Sequence, residues 1–354
     1  MENFDYESKA KEFVEKFNVL DADSNVKKQR VSILVHKNPD GDTLGSGLAL
    51  SLWLQKSGHE VKILAPNRYP EVFASLPNSM NILIFNSPLF HDATLNYLNS
   101  SDSIICVDFG QKKRLDDAFA EAVFDLKKPF FTFDHHLDPV EIEGYVCSNT
   151  SAASTCEIVY ELLKSLDPNY IDDEIAQCLY TGILTDTSRF MTANMTPRVH
   201  EIAAELLTYP SIVVDKMYKN LFGSFRYSRM KLLGHLLCHC MRTIKDYKVA
   251  YLFLSLEDSK RYKIFPGDTD GIVNYALSVK NVILGAMFKE KEDGVYISFR
   301  SIGEFSVNDF SAKHFNGGGH RNAAGGSSKL SLEKTIEKFE NVIKEYEELK
   351  HVEQ

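Results

Sequence analysis

The densest chemistry in the sequence is His36-Lys37-Asn38-Pro39-Asp40-Gly41-Asp42. It holds one imidazole and two carboxylates, and Pro39 and Gly41 favour a tight turn that gathers them. The motif follows the apolar run VSILV (31–35) and precedes a helical pattern. In parallel α/β sheets, ligands bind beyond the carboxyl ends of the strands. The bland alternative is a solvated turn whose Asp residues cap the next helix. Three further segments end the same way. Asp108 directly follows SIICV (103–107), Asp134-His135-His136 follow PFFTF (129–133), and Asp186 follows the apolar run in LYTGILTDTSRF. Alone, Asp108 reads as a cap, and a lone Asp186 would need a partner.

Taken together, His36, Asp40, Asp42, Asp108, Asp134, His135, His136 and Asp186 form a ligand-type set. Carboxylates mixed with imidazoles suit Mn²⁺ or Mg²⁺ better than a thiolate-preferring ion. The set is too large for one ion and about right for two ions sharing a carboxylate. Two ions about 3.5–4 Å apart can activate a water and clamp both oxygens of an in-line phosphoryl displacement. The expected chemistry is two-metal phosphoester hydrolysis. The His content tilts the choice toward Mn²⁺, with Mg²⁺ left open.

A second candidate is the stretch Asn316 to Gly326, where five of the nineteen glycines fall within 317–326. Gly317, Gly318 and Gly319 would let backbone N–H groups approach an anion closely. His320 adds a donor, and Arg300, ending VYISFR (295–300), can fork onto a phosphate. The alternative is a flexible hairpin or hinge. Arg114, six residues past Asp108, is separated for the same reason from Lys112 and Lys113, which read as a solvated charge run. Ser306 with Asp309 reads as a helix cap, and Trp53 as core. His59, His91, His200, His235 and His314 have no neighbouring ligand pattern. Cys238-His239-Cys240 carries metal-type residues, but no second cluster accompanies it, so it is assigned no metal.

These residues need a scaffold. The chain has 354 residues, 44% hydrophobic and 25% charged, ordinary for a globular protein of about two domains. Net charge is −9, which argues against duplex DNA or an anionic membrane as a broad docking partner. Six cysteines without paired spacing fit a reducing compartment. The acidic N-terminal segment lacks the apolar stretch of a signal peptide, and no run approaches a membrane span of roughly 20 residues. A cytoplasmic location is expected.

Tyr6, Ala10, Phe13, Val14 and Phe17 predict an amphipathic helix. Its apolar face could be covered within the chain or by a second copy in a homodimer. Strands are expected at 31–35, 60–65, 81–85, 103–107 and 129–133, and helices at 43–57, 154–166, 172–184 and 197–208. Alternation of this kind predicts a parallel sheet covered on both faces. After residue 208 the pattern changes. Strands are expected at 248–256, 281–288 and 295–300, with helices at 228–243, 269–279, 306–315 and 332–349. The fold class is therefore α/β, with an N-terminal domain over 1–208, a linker over 209–228, and a smaller C-terminal α/β domain with a mixed sheet over 229–354.

The ordered set H-x-N-P-D-G-D, V-D, D-H-H, T-D and G-G-G-H-x-x-A-A-G resembles the DHH/DHHA1 phosphoesterase family across roughly 15–345. The resemblance implies a DHH domain holding two Mn²⁺ and a DHHA1 domain binding substrate across an interdomain cleft. It implies that His36, Asp40 and Asp108 hold one ion, and Asp42, Asp108, His135 and Asp186 the other. His136 would lie by the reacting phosphate as a stabiliser or acid, with Asp108 and Asp134 completing the catalytic set. Arg300, Gly317, Gly318, Gly319, His320 and Arg114 would bind substrate phosphates. Length and plan look most like the nanoRNase-type subgroup, whose members are oligoribonucleases that also act as pAp phosphatases. Short single-stranded oligonucleotides or nucleotides are the expected partners. Cyclic-dinucleotide phosphodiesterases, pyrophosphatases or exopolyphosphatases, long single-strand exonucleases and a non-catalytic nucleotide-binding regulator are the rivals. Two departures stand out: Asn316 replaces a further glycine, and Ser188-Arg189 replaces a Gly-Ser type pair.

Overall fold

The computed structural model describes residues 4–17, 27–192, 195–265 and 267–350. The chain divides between Ser224 and Phe225 into two compact units. In the first, helix α1 (Tyr6–Phe17) precedes β1 (Arg30–Leu34), α2 (Gly41–Lys56), β2 (Glu60–Ala65), β3 (Leu83–Ile84), α3 (His91–Ser100) and β4 (Ser103–Val107). There follow α4 (Asp117–Phe124), β5 (Phe130–Asp134), β6 (Tyr145–Ser148), α5 (Thr155–Leu166), α6 (Asp173–Asp186), α7 (Pro197–Leu206) and α8 (Val214–Tyr218).

The six strands form one parallel sheet in the order β3-β2-β1-β4-β5-β6. Strand residues alternate between two cores. Val31, Ile33, Ile105, Val107, Phe131 and Phe133 pack against α1, α2, α5 and α6. Leu34, Leu64, Ile104 and Cys106 pack against Tyr97 and Leu98 of α3 and Phe119 and Val123 of α4. Burial on both faces explains why these strands read as continuous apolar runs. Ala10, Phe13 and Phe17 of α1 are buried within the same chain, and Tyr145 donates to Lys9 O at 2.8 Å.

The stretch 209–228 is folded along much of its length. Ile212, Met217 and Leu221 belong to the first unit's core, and residue 227 already opens the next helix. The strand expected at 81–85 shrinks to β3, because Ser79–Asn81 forms a 3₁₀ turn.

The second unit contains α9 (Tyr227–His235), β7 (Met241–Thr243), β8 (Val249–Leu254), α10 (Leu256–Arg261), α11 (Asn274–Leu277), β9 (Leu284–Lys291) and β10 (Gly294–Ser301). It ends with α12 (Val307–Phe315), β11 (Gly318–His320), β12 (Ala323–Ser328) and α13 (Leu332–Ile343). Its sheet is mixed, in the order β11-β12-β10-β9-β8-β7, with β8 and β9 parallel. The helix expected over 228–243 breaks at a π-turn, Leu236–Cys240, after which β7 pairs with β8. The helix expected over 269–279 is reduced to α11, after Gly271 adopts φ +73°. Among the described residues no helix is long and apolar enough to cross a membrane.

Candidate metal centre

The strand order of the first sheet reverses between β1 and β4. At such a point the connections leave in opposite directions and open a crevice beyond the strand ends. His36 follows β1, Asp108 follows β4, and Asp134, His135 and His136 end β5 or follow it. Asp40 caps α2, accepting from the N–H groups of Asp42 and Thr43, which places Asp42 in its first turn. Asp186 is the last residue of α6. The capping reading of the first motif is therefore correct, and it coexists with the ligand-type cluster.

Asp108 is the centre of this cluster. Its Oδ2 lies 3.2 Å from His36 Nε2, while its Oδ1 lies 3.4 Å from His135 Nε2 and accepts from Thr155 Oγ1 at 2.9 Å. His135 Nε2 also faces Asp186 Oδ2 at 3.5 Å and Asp42 Oδ2 at 3.7 Å. His36 Nε2 faces Asp40 Oδ2 at 3.7 Å. Two groups able to converge on a cation thus share one carboxylate: His36, Asp40 and Asp108, and Asp42, Asp108 and His135. Asp108 holds φ +64°, a conformation that costs a non-glycine residue about 1 kcal/mol or more and is characteristic of functional sites.

The donor set fits divalent cations. His36 Nδ1 pairs with Lys37 O at 2.9 Å and His135 Nδ1 with Ala152 O at 3.3 Å. Anchoring one ring nitrogen on a carbonyl turns the other toward a ligand position. His36 Nε2 is buried between two carboxylates and makes no well-aligned hydrogen bond. Asp42 is fixed by the N-terminus of α5, with Thr155 N on Oδ2 at 2.7 Å and Cys156 N on Oδ1 at 2.9 Å. Close packing of α6 makes this possible, since a Cβ at Gly182 would run into the Cys156 thiol.

Electrostatics follow the same logic. Burial and Arg114 disfavour a charge on His36, but Asp40 and Asp108 outweigh them and lift it to about 9. Burial likewise opposes charge on His135, and Asp186, Asp108 and Asp42 lift it to about 9. Burial, then Asp108 and Asp186, pushes the Asp42 carboxyl well up. Burial raises Asp186 to about 6, with His135 opposing and Asp108 and Asp40 adding. Burial works against the Asp108 carboxylate too, yet His36, His136 and His135 hold it well below the usual range.

A second chain of contacts runs from Asp134 to Arg114. Asp134 Oδ1 lies 2.7 Å from His136 Nδ1, and Arg114 Nη2 lies 3.2 Å from His136 Nε2. A guanidinium only donates, so this arrangement puts the ring proton on Nδ1 and leaves Nε2 as acceptor. Lys37 N donates to Arg114 O at 2.8 Å, tying that turn to the first motif. Sequence reasoning missed Thr155 and Cys156. The Ser154–Glu157 capping pair marks where α5 begins, but nothing in the sequence aims that helix at Asp42.

In the second unit the glycine stretch is a pair of strands, not a loop. Asn316 ends α12 in the left-handed region, φ +49°, and Gly319 holds φ +148°. Gly319 N donates to Asn308 Oδ1 at 2.8 Å. A Cβ at Gly317 would run into Gly325 O and Ser311 Oγ. The register pairs Ala323 with His320 on one side and Arg300 on the other, so the three share one row of the sheet.

This is the plan of a two-unit α/β protein whose first sheet gathers, at its strand reversal, a cluster of His and Asp side chains able to hold divalent cations. The chain belongs to the DHH family: the model of its N-terminal domain matches residues 30–183, and that of the DHHA1 domain matches 246–349. The chain is 28% identical over 319 residues to the bifunctional oligoribonuclease and PAP phosphatase NrnA of Thermus thermophilus, covering 89% of each chain. It is 25% identical over 322 residues to the NrnA of Bacillus subtilis, covering 89% of this chain and 96% of that one. Its structure is similar to the crystal structure of an exopolyphosphatase-related protein from Bacteroides fragilis, with TM-score 0.87, 31% identity and 97% of both chains covered.

Proposed function

We propose that the chain hydrolyses short single-stranded oligonucleotides to mononucleotides and removes phosphate from pAp, using two divalent ions, Mn²⁺ in preference to Mg²⁺. The observation that carries this reading is the pair of ligand groups sharing Asp108. The names of the Thermus and Bacillus relatives supply the substrates. His36, Asp40 and Asp108 would hold one ion, and Asp42, Asp108, His135 and Asp186 the other. Bound there, such ions supply a nucleophile at neutral pH and neutralise charge on the phosphoryl oxygens.

The remaining residues bind and orient. Asp134 fixes the His136 ring, and Arg114 presents N–H groups toward a phosphoryl oxygen. His136 acts as stabiliser or acid only when its Nε2, the acceptor beside Arg114, takes up a proton. Arg300 and His320 take a substrate phosphate in the second unit. The backbone cradle expected from Gly317, Gly318 and Gly319 is set aside, because Gly317 N donates to Ser311 O at 3.2 Å, Gly319 N to Asn308 Oδ1 at 2.8 Å, and Gly318 pairs with Gly325 in the sheet. The net charge of −9 disfavours duplex DNA as substrate.

The test compares pAp, a short 5′-phosphorylated RNA and a cyclic dinucleotide with Mn²⁺, using Asp108→Asn as control. Mononucleotides from the RNA and phosphate from pAp are expected, both lost in the variant. Turnover of the cyclic dinucleotide alone would move the function to second-messenger degradation.

A further inference from the structure

A separate group of ligand-type side chains lies in the second unit. His235 ends α9, Cys240 ends the π-turn, and Asp258 lies in the first turn of α10. His235 Nε2 is 3.5 Å from Cys240 Sγ and 3.3 Å from Asp258 Oδ1. Neither distance was legible in the sequence, because the first depends on the π-turn over Leu236–Cys240 and the second on Asp258, supplied by another element after β8.

The two spacings from His235 match the edges of a tetrahedral site, and all three ligand atoms lie within 4.8 Å of one another. Bonds of about 2.0 Å to nitrogen or oxygen and about 2.3 Å to sulfur give a tetrahedron with N···S edges of about 3.5 Å and N···O edges of about 3.3 Å. Hydrogen bonding accounts for the trio less well. A proton on Nε2 goes to the Asp258 carboxylate and leaves the Cys240 sulfur only a weak acceptor, while a bare Nε2 that accepts from the thiol faces the carboxylate with a lone pair.

The local backbone is built for the convergence. Residues five apart on an α-helix diverge by about 140°. The π-turn, with its i→i+5 closure, brings His235 and Cys240 back to one face, and such turns are frequent at functional sites. Asp258 is held from behind: its Oδ2 accepts from Ser255 Oγ at 2.9 Å, leaving Oδ1 toward His235. Cys240 is buried at 4% exposure, while the His235 and Asp258 side chains keep 17% and 19%. An ion could therefore enter, and a water could take the fourth position.

We propose that His235, Cys240 and Asp258 bind a borderline divalent ion of the Zn²⁺ type, distinct from the oxygen-rich centre around Asp108. The filled site ties α9, the π-turn and α10 together.

The test is a Co²⁺ titration of the metal-stripped full chain. A thiolate ligand gives Co²⁺ a near-ultraviolet charge-transfer band, which the His and Asp ligands around Asp108 cannot give. The band is expected in the wild type and in Asp108→Asn, lost in Cys240→Ser, displaced by Zn²⁺, and retained in Cys238→Ser. Asp258→Asn, on a partly exposed helix, guards against misfolding of the cysteine variant and is expected to weaken Co²⁺ binding at least about tenfold. No band in the wild type, a band surviving Cys240→Ser, or an unchanged Co²⁺ midpoint in Asp258→Asn would overturn the site.

Discussion

His36 Nε2 and Asp108 Oδ2 lie 3.2 Å apart across the reversal of strand order between β1 and β4. The opposite oxygen of the same carboxylate faces His135. Asp108→Asn removes the charge while keeping shape, and Asn tolerates the left-handed backbone that Asp108 adopts. Turnover is expected to fall by about 10³ or more, as several kcal/mol of charge stabilisation are lost. Elemental analysis is expected to show less bound Mn²⁺ with an unchanged circular dichroism spectrum. Near-wild-type turnover would remove the shared carboxylate from the mechanism.

The metal-free site holds protons where cations would sit. His36 and His135 are raised from 6.5 to about 9, and Asp186 from 3.8 to about 6. In each case the folded state binds more protons than the unfolded one, so stability falls as pH rises through the window. The contribution of Asp186 fades between about pH 4 and 6, and that of the two histidines between about 6.5 and 9. Chelated protein is therefore expected to melt at lower temperature at pH 9 than at pH 6.5. With saturating Mn²⁺ the decline is expected to shrink, because binding displaces the protons and strengthens with pH. Differential scanning fluorimetry with and without chelator reads both slopes. Parallel slopes would mean that these histidines do not meet the cation.

Asp134, His136 and Arg114 form a chain whose first contact fixes the imidazole tautomer. Asp134→Asn lets the ring turn or shift its proton. A fall of about 10² or more in kcat is expected, since a wrong tautomer is costly even when geometry persists. Bound Mn²⁺ is expected to stay unchanged, which separates this positioning role from ligation. Loss of metal in the variant would instead make Asp134 a ligand.

The sequence made some of this legible and hid the rest for physical reasons. His36, Asp108 and Asp134 were readable because each follows a buried apolar strand, and a parallel sheet brings such ends together. Asp186 was weaker, since it ends a helix and its aim depends on how α6 packs on α2. The N–H groups of Thr155 and Cys156 were invisible, because backbone donors leave no residue-type signature. The glycine strands were hidden by composition: β11 and β12 have few side chains to show a period, and their pairing rests on backbone hydrogen bonds. The break of α9 into a π-turn was missed because its leucines keep an apolar periodicity through Cys240.

Arg300, Ala323 and His320 occupy one row of the second sheet. Neighbouring strands are about 4.8 Å apart, so the outer two residues stand about 10 Å apart with a methyl group between them. Arg300 Nη1 donates to Phe299 O at 2.9 Å, and a phosphate that drew it off would be flanked by a guanidinium and an imidazole. Arg300→Ala is expected to raise KM for a short RNA by about 10- to 100-fold, with kcat nearly unchanged, because it removes binding shared by ground and transition states. Ala323→Val tests the gap itself. A β-branched residue suits a strand, so the sheet is expected to persist while the added methyls narrow the space. Its KM is expected to rise with both flanking residues intact. If Arg300→Ala lowers kcat and leaves KM alone, the row acts on the reacting phosphate. If Ala323→Val changes neither constant, the substrate does not enter this row.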